Sequence, residues 1–454
     1  MNMKDIKASG ISGVNFTNWS KTFSCVPELL FAPKTNDEIA QILALATDEK
    51  KHVRVVGCGH SPSDIACTED YMISLQHMNK VVEVDEVNKQ VKVQAGITLR
   101  DLNEIHLPKY KLALSVLGSV SDLTIGGAIS TGTHGTGINF GNLCSYVIEL
   151  EMMDPSGKFI RCSRSENKEI FLAAVCGLGA IGIILTVTLQ CESAFNLEQR
   201  QFGTTLKDVL EHLDLHVNGS EHFKFTWFPH TDGVVVSHVN RTDKPVTEVS
   251  KWRKYWDWLI DYALGYYTLE FCYWLSLFYP PLISRINSIF YWLVFSQNKR
   301  KVDASYKVFN FDCLFKQYVN EWAIPISQTK SALLQLKSWL DNTPNVYVHV
   351  PVEVRFVKSD DIYISPAYGR DTCYINIIMY RPYSRSVLYE EYWEAYEAIM
   401  GNVGGRPHWA KAHKVTAPEF VKMYPCFNTW CSIREKLDPT NMFVNPYLKR
   451  IFTF

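Results

Sequence analysis

The chain lacks an excess of either charge: 46 Lys and Arg stand against 47 Asp and Glu, a formal net charge of −1. With a pI near 6.9 there is no basic field to hold a phosphate polymer, which excludes nucleic acid as the expected partner and favours small molecules. No CxxC pair and no His/Cys cluster with metal-ligand spacing occurs, so the 12 cysteines read as dispersed thiols of a reducing compartment, and no metal site is expected. Internal repeats and low-complexity linkers are missing. Met1 to Gly10 is polar, without an apolar stretch, so no cleavable secretory signal is expected. Long hydrophobic runs are also lacking: the uncharged run Phe271 to Ser284 contains Pro280-Pro281 and falls short of the roughly twenty residues that span a bilayer.

At 454 residues and 47% hydrophobic, the chain has ample length for a large core and two domains. Its most informative segment is Val53 to Asp64, a β-branched run that breaks into Gly57-Cys58-Gly59-His60-Ser61-Pro62. A strand feeding a glycine turn brings bare backbone N–H groups within reach of an anion, and a diphosphate is the natural guest. Two familiar templates fail. A dinucleotide fingerprint needs a third glycine opening a helix where Pro62 stands, and the Gly-Lys-Ser/Thr ending of a Walker loop is missing. His60 at the tip is a residue that phosphate binding does not require; taken alone, a histidine there is most simply a hydrogen-bonded structural residue.

From Lys51 to about Cys191, short β-branched runs alternate with glycine turns. Strands are expected at Val53 to Val56, Met72 to Leu75, Val81 to Val84, Val91 to Gln94, Val147 to Met153, Phe159 to Cys162 and Ile183 to Leu189, with a helix over Leu99 to His106. A second region carries longer alternating strands at Lys224 to Trp227, Val346 to Val357 and Tyr374 to Tyr380, covered by helices over Gln328 to Leu340 and Glu390 to Met400. The expected class is α+β, with a first domain over 1–191 completed by 408–454 and a second over 192–407. Between Gly118 and Gly137 a second glycine cluster, with hydroxyls at Thr131, Thr133 and Thr136, suits the wrapping of an extended ligand, or a tightly packed helix and loop. Glu353 and Arg355 alternate with Val352, Val354 and Phe356, so both charges share one strand face, as a structural ion pair or a ligand-facing one.

The first loop, the stretch Ile-Gly-Gly-Ala-Ile-Ser-Thr-Gly-Thr-His-Gly-Thr-Gly, the run Cys176 to Gly182 and His408-Trp409-Ala410-Lys411 resemble the vanillyl-alcohol-oxidase type of flavoprotein. Phe225 to His230, Pro351 to Phe356 and Ile433 to Pro439 narrow the resemblance to its sugar-lactone oxidases, over nearly the whole chain. The resemblance implies a PCMH-type FAD-binding domain with an antiparallel cap (substrate) domain, and FAD bonded covalently through His60 to the 8α position of the ring. It implies cofactor contacts from Arg54, Val56, Gly57, Cys58, Gly59 and Ser61 in the first loop. The second glycine stretch would add Gly118, Ser119, Ser121, Asp122, Thr124 and Gly127, then Thr131, Gly132, Thr133, His134 and Gly135. Gly182, Ile183, His408 and Lys411 complete the set.

By the same resemblance Glu353, Arg355, Lys411 and Ser119 line the substrate side, and Gly118 leaves dioxygen a route to the reduced flavin. Arg355 and Lys411 are then suited to hold the carbon-2 hydroxyl. Lys411, set beside Arg355, is one candidate for accepting its proton, and His408 a weaker one. The implied activity is oxidation of an aldono-1,4-lactone, L-gulono-1,4-lactone first, with dioxygen giving hydrogen peroxide and a keto-lactone that tautomerises to L-ascorbate. The rivals are another aldonolactone or alditol oxidase, a dehydrogenase, or a flavin-binding scaffold that has lost catalysis; the scaffold needs none of His60, Glu353, Arg355 and Lys411.

Residues 252–298 crowd Trp, Tyr, Phe and Leu between Lys251, Arg253, Lys254 and Lys299 to Lys301, with Asp257 and Asp261 four apart. This is the pattern of a helix lying in an interface, or of an aromatic core or subunit contact. The resemblance implies monotopic attachment to the endoplasmic reticulum (microsomal) membrane.

Overall fold

The computed structural model describes residues 3–259, 265–310 and 314–452. Near the N-terminus β1 (Leu29–Phe31), β2 (Val53–Val56) and β3 (Tyr71–Ser74) form a parallel sheet in the order β1-β3-β2. The crossover is the helix Asn36–Asp48, started by the Thr35 side chain accepting from the Glu38 N–H and burying Ile39, Ile42, Leu43 and Leu45. A five-stranded antiparallel sheet follows, from β4 (Val81–Asp85), β5 (Gln90–Gln94), β6 (Val147–Met153), β7 (Phe159–Ser163) and β8 (Ile183–Gln190), ordered β7-β6-β8-β5-β4. Strands β2 to β8 stand within a residue or two of their expected places, whereas β1 was not anticipated. Leu99 to His106 is helical, its first turn α and the remainder a π-turn.

The second region is built on an eight-stranded antiparallel sheet. Its strands are β9 (Asn196–Thr205), β10 (His222–Trp227), β11 (Gly233–Thr242), β12 (Lys299–Ala304), β13 (Gln317–Pro325), β14 (Val352–Val357), β15 (Thr372–Tyr380) and β16 (Arg406–Pro407), in the order β12-β9-β11-β10-β14-β15-β13-β16. The expected strand over Val346 to Val357 is half as long. It begins at Val352, after the cis Val350–Pro351 bond, because proline has no N–H to give a central ladder. Strands β9, β11, β12 and β13 were not anticipated from sequence. Helices Thr329–Asn342 and Glu390–Asn402 bury Leu333, Leu336, Trp393 and Tyr396 against one face of the sheet, leaving the other for the glycine loops.

Residues after 408 return to the first region. The Val53 N–H donates to the Met442 carbonyl (2.7 Å), Asn445 donates to the Ile65 and Cys67 carbonyls, and Trp430 Nε1 donates to Ala173.

The aromatic segment forms helices Lys251–Asp257, Tyr267–Ser276 and Leu282–Phe290. Leu269, Tyr273, Ile283 and Ile286 pack with Phe228 and Val350 in a small core of their own. Trp252, Trp258, Phe278, Tyr279 and Trp292 remain exposed, so neither the core reading nor the surface reading covers the whole segment. Asp261 lies outside the described residues, and with it the expected Asp257–Asp261 face. Among the described residues no helix is long and apolar enough to cross a membrane.

Candidate active site

Register places the charged residues of the large sheet in rows. Thr226, Glu353, Asn376 and Glu321 are cross-strand neighbours on β10, β14, β15 and β13, and Lys224, Arg355, Tyr374 and Ala323 form the next row. Because alternate residues share a face, one surface of the sheet presents Glu353, Arg355, Asn376 and Glu321 together. That surface forms one wall of a cavity of about 480 Å³, whose opposite wall is the first loop, the second glycine stretch and Gly182 to Ile184. This volume lies within the range of cofactor sites.

The loop wall is shaped for close approach. A Cβ on Gly57 would stand 2.1 Å from Thr124 Oγ1, and one on Gly118 would stand 3.0 Å from Thr133 Cγ2, while Gly59 takes φ +67°. Arg54, fully buried behind the loop, donates to the Ile65 carbonyl (2.7 Å) and the Leu178 carbonyl (2.7 Å), which ties the first loop to the Cys176 to Gly182 run. His60 lines the cavity. Its ring stacks on Trp19 at 5.8 Å and makes no hydrogen bond to a described residue. Burial, assisted by Lys316 and Lys411 and opposed by Asp122, lowers its pKa, which favours the neutral imidazole.

Two carboxylates organise the sheet wall. Glu353 accepts from Lys224 Nζ (2.8 Å) and from an Arg355 guanidinium nitrogen (2.7 Å). Burial alone would raise its pKa, but Arg355 and Lys224 outweigh burial and hold it at about 2. Arg355 also donates to Ser119, so the strand cation and the glycine stretch are joined directly. Glu321 lies across Asn376 from Glu353. His134 Nε2 stands 3.1 Å and Lys411 Nζ 3.7 Å from its carboxylate, and although burial opposes ionisation, His134, Lys411 and His408 hold it well below the usual carboxylate range.

His134, Glu321 and His408 bring potential ligand atoms within 4.8 Å of one another, yet the chemistry is that of donors around an anion. His408 Nδ1 accepts the Ala410 N–H (3.1 Å), which leaves Nε2 as the N–H of the neutral ring, and the Lys411 ammonium occupies the vicinity. Burial holds His408 at about 3. Neutral, with Nδ1 taken by the Ala410 N–H, His408 has the weaker claim to accept the hydroxyl proton, as the resemblance implied. Lys411 likewise meets a compensating carboxylate that the sequence reading, which set it against Arg355, did not include.

Of the residues expected at the cofactor, Val56, Cys58, Ser61, Gly127, Thr131, Ile183 and the others named above line the cavity, with four exceptions. Asp122 faces outward to Arg100 (2.6 Å), and the Ser121 carbonyl accepts the Arg100 N–H. Gly132 and Gly135 pack backwards: a Cβ on the first would press Pro366, and on the second Val116 and the Leu117 carbonyl. Trp19, Gln317, Glu321 and Asn376 line the site, with Lys224 just behind them, and were not singled out from sequence. Lys224 stood on an expected strand at even spacing from Thr226, and that alternation was the available signal.

Residues 27–163 match the family described as FAD binding domain, and residues 187–451 match D-arabinono-1,4-lactone oxidase. The chain belongs to the D-arabinono-1,4-lactone oxidase family. Its relatives include the L-gulonolactone oxidases of Scyliorhinus torazame, 53% identical over 98% of this chain and 99% of that one, and of Bos taurus, 51% identical over the same shares. An L-gulono-1,4-lactone dehydrogenase of Mycobacterium tuberculosis is 33% identical over 96% and 98%. Among solved structures, a solvent-stable cholesterol oxidase superposes with a TM-score of 0.77 at 15% identity, covering 99% of both chains. The cholesterol oxidase of Brevibacterium sterolicum gives 0.74 at 16%, covering 96% of both. At such identities these two share the fold alone, that of the vanillyl-alcohol-oxidase type. As a member of this lactone oxidase family the protein is an FAD-dependent lactone oxidoreductase, and the glycine-walled half of the cavity fits the cofactor.

Proposed function

We propose that the protein oxidises the carbon-2 hydroxyl of an aldono-1,4-lactone, L-gulono-1,4-lactone first, with dioxygen as acceptor, as the last step of L-ascorbate formation. The observation that carries this reading is the convergence of Arg355 and Lys411 on one cavity with His60 and the glycine loops. FAD supplies the two-electron acceptor. Arg355, clamped by Glu353 and Ser119, and Lys411, backed by Glu321, present preorganised donors to a hydroxyl that gains negative charge as its proton leaves. Asn376 between the two carboxylates offers an amide to the hydroxyls of a polyol. The relatives called L-gulonolactone oxidase support the substrate, and Gly118 at the wall supports access for dioxygen.

The cofactor is covalently bound at His60 in this reading, since a ring that faces the cavity, makes no hydrogen bond to a described residue and is drawn toward its neutral form by burial is a competent nucleophile. The exposed Trp252, Trp258, Phe278 and Trp292 form the contact of a monotopic protein with the endoplasmic reticulum membrane surface, with Lys299, Arg300 and Lys301 following them in sequence on β12. Anaerobic addition of L-gulono-1,4-lactone bleaches the flavin band; no bleaching with any aldonolactone overturns the assignment. Acid-denatured protein retains its yellow colour, whereas colour passing wholly to the supernatant removes the His60 bond. Flotation with liposomes tests the membrane contact, and protein that stays at the bottom with every lipid composition refutes it.

A further inference from the structure

Two cysteines, Cys25 and Cys67, lie near each other outside the cavity. Phe16–Thr17 pairs with Ser24–Cys25 as a short hairpin, with Phe16 opposite Cys25. The hairpin rests on the first loop: the Trp19 N–H donates to the Gly59 carbonyl (2.8 Å), Asn18 Nδ2 donates to the Ser61 carbonyl (3.0 Å), and Trp19 covers His60. Cys67 closes that same loop. The Cys25 sulfur accepts the Thr68 N–H at 3.4 Å, which sets it against the Cys67–Thr68 peptide and beside the Cys67 thiol. Both cysteines are reduced and half-buried. The neighbouring Cys67 thiol, with the Thr68 N–H, draws Cys25 down to about 7, and the same pairing pushes Cys67 up. By contrast, Cys144, Cys162, Cys176, Cys191 and Cys373 are buried, and the thiol of Cys58, on the cavity wall, is pushed up by desolvation and by Asp122.

We propose that Cys25 and Cys67 are a peroxide-oxidised thiol pair whose disulfide joins the Trp19 hairpin to the FAD-binding loop. The Cys25 thiolate attacks one oxygen of hydrogen peroxide; an S–O bond forms, the O–O bond breaks, and the departing hydroxide takes a proton to become water. The Cys67 sulfur, giving up its proton, then attacks the Cys25 sulfur. An S–S bond forms, the S–O bond breaks, and a second water leaves. Two thiols lose two electrons and one peroxide gains them. The oxidant is the product of the reaction proposed above, and the inference rests on that reading for its supply.

Reduced holoenzyme is exposed in one arm to L-gulono-1,4-lactone in air, with and without catalase, and in the other to added hydrogen peroxide without lactone. Free thiols are then alkylated and the peptides weighed. The Cys25–Cys67 linked peptide is expected in both arms and is suppressed by catalase in the first. Its half-conversion requires a peroxide dose at least roughly tenfold below that which oxidises Cys58. In Cys67→Ser a dimedone adduct forms on Cys25 instead, and in Cys25→Ser no adduct forms on Cys67. Linkage with added peroxide but none during turnover upholds the thiol chemistry and overturns dioxygen as acceptor. No linkage and no Cys25 adduct in either arm overturns the thiol pair.

Discussion

Replacing Glu353 by Gln tests the electrostatic reading of the sheet wall most directly. The side chain keeps its shape but loses the charge between Lys224 and Arg355, at 2.8 and 2.7 Å. A carboxyl held at about 2, against an ordinary 4.5, corresponds to about 3 kcal/mol of stability at pH 7, in line with the cost of breaking a buried ion pair. For a chain of this size that is roughly 3 to 6 °C in melting temperature. The depressed value fixes the pH dependence. The contribution is complete above the unfolded carboxyl's 4.5 and is lost as pH falls toward 2, so the gap between wild type and variant narrows by about 1 kcal/mol between pH 7 and 3.5. Denaturant unfolding of both proteins at the two pH values measures this. Adding Lys224→Met must cost less in the variant than in wild type, because it removes one of two cations that no longer share a carboxylate. Additive costs, or a gap that does not change with pH, would refute the clamp.

Three further outcomes follow from the same geometry. Gly57→Ala forces a methyl to within 2.1 Å of Thr124 Oγ1; flavin content per protein falls by more than roughly half, Thr124→Ala in the same chain restores it, and normal loading of the single variant contradicts the close-approach argument. Glu321→Gln, which withdraws the carboxylate 3.7 Å from Lys411 and 3.1 Å from His134, slows anaerobic flavin reduction roughly ten- to hundredfold through a misplaced ammonium; stopped-flow traces matching wild type eliminate it as a positioning residue. Burial lowers His222, His238 and His413 to about 4, and His349 and His408 to about 3. The unfolded chain therefore binds more protons below about 6.5, and the melting temperature declines as pH drops from 6.5 toward 4; a flat profile over that window contradicts neutral burial.

The first region was legible because its signals are local. Val53 to Val56 is β-branched and stops at glycine, so both strand and boundary could be placed from a few residues. The large sheet was harder. Strand β13 begins Gln-Tyr-Val-Asn-Glu-Trp, with polar residues facing both the site and the covering helices, so its alternation is not one of polarity. Glu321 became visible only through its register opposite Asn376. Glu353 and Arg355 were legible as a pair, whereas Lys224, far away in sequence, is brought to them by the pairing of β10 with β14. Asp122, Gly132 and Gly135 were expected at the cofactor because they sit inside a glycine motif; within such a stretch some glycines approach a ligand and others their own backbone, and sequence does not distinguish them.

The two carboxylates also bear on how the hydroxyl proton is handled. A general base works best with a pKa near the operating pH, yet Glu353 is held at about 2, Glu321 lower than the usual range and His408 at about 3. Each is locked by partners that would have to be abandoned to receive a proton. The same partners are what the chemistry needs: Glu353 fixes Arg355, Glu321 fixes Lys411, and the cations they position face the cavity. Neutralising either carboxylate would free a cation to move and weaken the field at the hydroxyl. In the proposed reaction the wall therefore acts by holding charge in place, with Arg355 and Lys411 fixed as donors toward the hydroxyl.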